Sequence, residues 1–235
     1  MSFENTFGPP NEDSSYRSAP HPEVQKALGV LTEGKDWDYS RFRSVLLSLA
    51  KIGSAQAIPA SNSPDSIDVS GWTPYVDELQ RRTGSNGKEH ARAVIADTSS
   101  LRLLMSPVIA GTDNNVSVHF ILPAEQAKFQ KAIAYIHTHT NDMTAHGLSD
   151  GDYRTFLFDP DQQAMLLAYG NGNRIMILKT SVTPNNLSRE RIATRILDAR
   201  EDYFLFAPNP VSAVVDFNRA VCSEYGLVMY KSVEG

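Results

Sequence analysis

Apolar and polar positions along the chain fall into distinct regimes. Residues 1–20, "MSFENTFGPPNEDSSYRSAP", show no periodicity, only Pro, Ser, Asn and acidic groups, and read as a flexible arm. Apolar residues then recur at helical spacing over 22–31 and 38–52, which predicts two amphipathic helices, the second stopped by Gly53. "SAQAIPASNSPDSIDVSG" gathers turn formers and reads as a linker. The chain thus divides into an arm (1–20), a helical N-terminal region with its linker (21–70) and a domain (71–235).

Within that domain helical and strand patterns alternate. "TPYVDELQRRTG" predicts a helix with Thr73 as cap, Pro74 in the first turn and Gly84 as the stop. "ARAVIAD", "SLRLLMSPVIA" and "NNVSVHFIL" read as strands, and Pro123 is expected to open a helix over "PAEQAKFQKA". "IAYIHTH" is a short apolar run suited to a strand buried on both faces. "SDGDYRTFLF" reads as a helix start. "QAMLLAYG" and "RIMILKTSV" form a hairpin across "NGN". Two helices, "LSRERIATRILDAREDYF" and "NPVSAVVDFNRAVCSEYG", and a closing strand, "LVMYKSV", complete an α/β (α+β) pattern: a mixed sheet flanked by helices.

Composition narrows the partners. The net charge is −5, with no basic tract, which argues against nucleic acid. No apolar run is long enough for a membrane span, and the N-terminus lacks the layout of a signal peptide, so cytoplasmic residence is the default. The single cysteine, Cys222, excludes an internal disulfide and a multi-thiolate zinc site. It sits on a helical apolar stripe, where a small buried residue is expected rather than a nucleophile.

The chemistry concentrates in "YIHTHTNDMTAHGLSDGDY" (135–153). In a strand, residues two apart share a face, so His137 and His139 project together with Thr138 opposite. Two imidazoles so placed can hold one metal ion. If a helix starts at the following segment, Ser149 is its N-cap and Asp152 lies in its first turn, where the carboxylate can return to the two imidazoles. Two histidines and one aspartate leave a fourth position for water, as a catalytic zinc requires. Each part also has a plain reading: Ser149-x-x-Asp152 is a capping pair, and His-x-His a surface accident. The spelling "HTHT…SDG" superficially suggests the polymerase-and-histidinol-phosphatase and amidohydrolase superfamilies. Those need histidines further downstream, and none follows His146. A convincing second His-x-Ser/Thr motif, needed by two-histidine phosphoesterases, is also missing.

The arrangement resembles the JAMM motif of the MPN/JAB metalloproteases: a distant glutamate, then His-x-His, then Ser-x-x-Asp. His137-Thr138-His139 and Ser149-Asp150-Gly151-Asp152 match the last two parts, over a resemblance spanning roughly residues 72–180. The family's glutamate follows the first helix and opens the first strand. Glu89 holds that place, 48 residues before His137. Glu78, on the preceding helix, and Glu125, near the next predicted helix start, are the alternatives. The chain departs from the pattern at Thr140, where proline is usual, at Arg92, where glycine is frequent, and in a nine-residue loop from Thr140 to Leu148. His146 lies in that loop, either as a solvated residue or within reach of the metal.

The resemblance implies an MPN-like fold and one Zn2+ per chain, bound by His137, His139 and Asp152. It implies amide hydrolysis on a protein or peptide substrate, peptidase or isopeptidase, commonly at the C-terminus of ubiquitin-like proteins. Glu89 would act as general base and Ser149 as the donor to the oxyanion. Two other classes stay open: a non-catalytic scaffold or zinc-stabilised binding domain of this fold, and a bacterial effector exported without a signal peptide. Residues 21–55 could bind substrate or cover the groove.

Overall fold

The computed structural model describes residues 2–5, 36–52, 58, 63–117, 122–140, 146–170, 172–184, 189–206 and 208–232. Its strands are β1 (Ser2–Asn5), β2 (Asp36–Trp37), β3 (Ser66–Asp68), β4 (His90–Asp97), β5 (Arg102–Met105), β6 (Ile109–Ala110), β7 (Gln130–Thr138), β8 (Ala164–Tyr169), β9 (Asn173–Lys179) and β10 (Leu227–Ser232). The helices are α1 (Tyr39–Ile52), α2 (Thr73–Asn86), α3 (Asp150–Phe158), α4 (Arg189–Phe206) and α5 (Pro210–Glu224). The described strands form one mixed sheet in the order β2-β3-β1-β10-β9-β8-β7-β4-β5, with β6 extending β4. β7 and β8 are parallel, and α3 lies in the connection between them.

The sheet separates two cores. On one face Phe42, Leu46 and Leu49 of α1 and Val76 and Leu79 of α2 pack with Trp72 against Val94, Ile136, Leu166 and Met176. Their spacing of three and four residues is the helical stripe seen in the sequence. On the other face Tyr153 and Phe156 of α3, Ile192 and Ile196 of α4 and Phe217 and Val221 of α5 cover Met165, Leu167, Ile177 and Met229. Cys222 is buried in this second core, and burial pushes its thiol up to about 12, so it is no nucleophile. No described helix is long and apolar enough to cross a membrane.

The mixed sheet flanked by helices is the class the sequence pattern indicates, but several elements differ. Ser2–Asn5, within the expected arm, is a strand, paired with β10 on one side and β3 on the other. α1 and β3, from the region expected to precede the domain, share its sheet and core. The helix expected over 22–31 lies outside the described residues. α2 runs through Gly84 and stops at Gly87, whose φ of 66° is the left-handed turn that ends it, with its N–H donating to Thr83 O. The run 101–110 divides into two short strands around Pro107, which has no N–H to give the ladder.

The helix expected from Pro123 is absent. Only a 3-10 turn over Gln126–Lys128 forms, and Gln130, Lys131 and Ala132 pair with Asp97, Ala96 and Ile95 of β4 instead. Pairing across the sheet overrides a modest local helix preference. In the strand expected over 114–122, 118–121 fall outside the described residues, and the remainder is loop.

Candidate metal centre

The site grows from the end of β7. His137 pairs with Ala91 in the antiparallel β4–β7 ladder, so both project from the same face. Glu89 lies two residues before Ala91 and His139 two after His137. The period of two therefore puts Glu89, His137 and His139 on one side of the sheet.

On the opposite side Thr138 fastens the strands together. Its hydroxyl accepts from His90 N at 3.0 Å and meets Thr83 Oγ1 at 2.6 Å. Glu89 is further fixed by its backbone, with its N–H donating to Thr112 O at 2.7 Å and its carbonyl accepting from Gly111 N at 2.8 Å.

The third ligand comes from α3. Ser149 is its N-cap: Oγ accepts from Asp152 N at 3.2 Å, and Ser149 N donates to Asp152 Oδ2 at 2.7 Å. This reciprocal cap turns the Asp152 carboxylate back toward β7. Oδ1 stands 3.2 Å from His137 Nε2 and Oδ2 3.2 Å from His139 Nε2. Ligand atoms of the three residues lie within 4.8 Å of one another, and the group can hold a metal ion.

Asn218 of α5 sets the height of α3. Its side chain bonds both the N–H and the carbonyl of Leu148 and accepts from Tyr153 Oη at 2.8 Å. Gly147 passes so close that a Cβ there would meet Val214 Cγ1 at 2.7 Å.

Two features of this cluster fit a cation. His137 Nε2 is buried and, though 3.2 Å from Asp152 Oδ1, has no aligned hydrogen-bond partner. A buried polar atom without a partner is costly, and a bound ion would satisfy it. Glu89, 7% exposed, stands on the same side of the sheet.

Electrostatics follow from this packing. Burial pushes the Glu89 carboxyl above its usual range, against the pull of His139 and His137. Burial also works to raise Asp152, but the two imidazoles outweigh it and hold its carboxyl well below the usual range. For His139 burial acts downward, and Asp152, Glu89 and a hydrogen bond to the Gly147 backbone together carry it upward.

A cleft of about 260 Å³ opens over the cluster. Glu89, His137, His139, Ser149 and Asp152 all line it. The other sequence candidates do not. Glu78 is held by Arg92 at 2.6 Å and Arg82 at 2.8 Å, Glu125 is exposed and paired with Lys128, and His146 stands edge-on to Tyr169. Asp150 binds Arg154 and Arg200, and Asp142 lies outside the described residues.

Two features escaped sequence reasoning. One wall of the cleft is the turn Asp113–Val116, where the sequence pattern indicates the start of a strand at Asn114. The Asn218 clamp had no signal, since a helical asparagine is ordinarily a surface residue.

The fold and site together define an α/β protein with a candidate metal centre at a strand end. The chain matches no known family model, no curated protein and no solved structure.

Proposed function

We propose that this chain is a zinc-dependent amide hydrolase of the JAMM/MPN type, cleaving peptide or isopeptide bonds. The observation that carries the reading is Glu89: it lines one cleft with two imidazoles and an aspartate, and burial pushes its carboxyl up. A plain ion-pair cluster gives no reason to bury such a group beside it.

The donor set suits zinc. Two ligands on a tetrahedral zinc stand roughly 3.3 Å apart for bonds of about 2.0–2.1 Å. The two imidazole nitrogens lie 3.2 Å from separate oxygens of the Asp152 carboxylate, and ligand atoms of the three residues fall within 4.8 Å of one another, a looser set that a bound ion would draw together. His137, His139 and Asp152 would hold the ion, and the cleft supplies room for water and substrate. Zinc bound there acts as a Lewis acid and brings the pKa of a water molecule toward neutrality.

The chain's own groups then divide the work. Glu89 takes a proton from the attacking water and returns it to the leaving amine; its raised pKa suits an acceptor that must also give the proton back. Ser149 Oγ donates to the developing oxyanion. At rest that proton points to Asp152 Oδ2, 2.8 Å away. With Asp152 engaged as a ligand, the Ser149 hydroxyl would be freer to turn toward the oxyanion.

That resting hydrogen bond also favours a second reading. With Ser149 spent on the cap, the site resembles a structural ion holder, and the chain would be a zinc-stabilised binding domain. Loss of a structural zinc would unfold it, whereas a catalytic zinc can be stripped from a standing fold.

The test is hydrolysis of plain peptides and ubiquitin-like conjugates before chelation, after chelation and after zinc is restored. Cleavage that disappears with chelator and returns with zinc, while the chain stays folded throughout, is expected. Cleavage that survives chelation, or no cleavage of any amide by zinc-loaded protein, would overturn the proposal.

A further inference from the structure

The cleft is not neutral. Three acidic residues line it, Glu89, Asp113 and Asp152, and among the described lining residues there is no lysine or arginine. Two of the three have work at the centre: Asp152 joins the imidazoles, and Glu89 lines the cleft beside them. Asp113 does not.

Asp113 sits on the outer wall, exposed, and its carboxylate has no hydrogen bond or ion pair among the described residues. Its backbone is tied into the site, because its carbonyl accepts from Thr140 Oγ1 at 3.0 Å. The turn that carries it is closed by Thr112 N donating to Asn115 O at 2.7 Å. The adjacent Gly111 backbone runs so close to Asn115 and Val116 that a Cβ there would clash with both. Asp113 is therefore an anion held at the mouth of the cleft, one residue beyond the Thr112 carbonyl that fixes Glu89.

We infer that Asp113 is a specificity residue selecting substrates with a positively charged group close to the scissile bond. The inference rests on the hydrolase reading for the word substrate, but the recognition itself needs only the cleft. A zinc ion with two neutral imidazoles and Asp152 carries a net +1, Glu89 offsets it, and Asp113 leaves the mouth negative. Walls of one sign concentrate ligands of the opposite sign. A lysine or arginine side chain, or a free α-amine, finds a partner in Asp113. A carboxylate there meets like charge and no cation on the walls. This disfavours trimming of free C-terminal residues and favours amide bonds flanked by basic residues.

The experiment has two arms. In the first, 15N-labelled protein is titrated with Nα-acetyl-lysine methylamide, then with the matching glutamine and glutamate compounds, and the backbone amides of 111–116 are followed. The lysine compound should shift these amides saturably, more than the other two, and D113N should abolish the difference. Equal shifts for lysine and glutamate, or a lysine preference unchanged in D113N, would overturn the inference.

In the second arm, zinc-loaded protein is offered matched peptides with Lys, Gln or Glu next to the cleaved bond. The Lys substrate should exceed the Gln one by about three- to fivefold in kcat/KM, the scale of one exposed ion pair. D113N should level that ratio, and D113K should invert the Lys-over-Glu order. The readout is a ratio within each variant, so a general loss of rate does not mimic it. If no peptide is cleaved, the hydrolase reading fails while the first arm still decides the inference.

Discussion

The two faces of β7 at its C-terminal end treat buried polar groups in opposite ways. Thr138 faces the core under α2, and its hydroxyl is satisfied by both His90 and Thr83. His137 and His139 face the cleft, where the buried His137 Nε2 lacks an aligned hydrogen-bond partner and Glu89 lines the wall. The same contrast separates two glutamates of neighbouring elements. Glu78 is ion-paired to two arginines, which hold its carboxyl below the usual range, while burial pushes Glu89 up. At this point of the sheet the closed face pairs its polar groups, whereas the open face leaves the buried His137 Nε2 without an aligned partner in a cleft where something else can bind.

The largest effect should come from Glu89→Gln. It keeps the shape and removes the proton acceptor, so kcat for amide hydrolysis should fall by about 10²- to 10⁴-fold while bound zinc is retained. Full activity with zinc in place would remove Glu89 from the mechanism. Ser149→Ala comes next, with a loss of roughly 10²-fold in kcat for an oxyanion donor and about 1 kcal/mol of stability for the lost cap. A stability loss without a rate loss would leave Ser149 as a cap only.

On the closed face Thr138→Val preserves shape but strands His90 N–H and leaves the Thr83 hydroxyl only its contact with His90 Nδ1 at 3.2 Å. Chemical denaturation should show a cost of about 1–3 kcal/mol. Hydrolysis should suffer only so far as Glu89 moves. A catalytic loss as large as that of Glu89→Gln would blur the two faces.

The smallest effect concerns pH in the zinc-free protein. Glu89 has a folded pKa above its unfolded one. It therefore costs no stability below the unfolded value, and an increasing amount as pH rises through the folded value. Glu89→Gln should raise the melting temperature at neutral pH, with the gain vanishing below about pH 4. Asp152 has the opposite sign: its lowered pKa stabilises the fold at neutral pH, and that contribution fades as pH falls.

Much of the centre was legible because it depends on short-range periods. Two-residue alternation puts His137 and His139 together, and the capping geometry of Ser149 turns Asp152 toward them. Glu89 was legible only through family order; its place is explained afterwards by the register of Ala91 with His137. What could not be read depends on distant contacts. Whether α2 stops at Gly84 or Gly87 depends on which glycine takes the left-handed conformation. Gln130–Ala132 follow β4 rather than their own helix preference. Asn218 acquires its role from Leu148, seventy positions away. Asp113 becomes part of a wall only when the 111–116 turn folds over the strand ends.

On the open face one metal ion is expected to join His137, His139 and Asp152 and to satisfy the unpaired His137 Nε2. Metal content of the purified protein, measured beside His139→Ala and Asp152→Ala, tests it most directly. About one zinc per chain is expected in the parent, as a three-ligand site requires, with its loss in both variants while the fold stays intact. A parent protein that takes up no zinc under any condition, or variants that keep it, would rule this metal centre out.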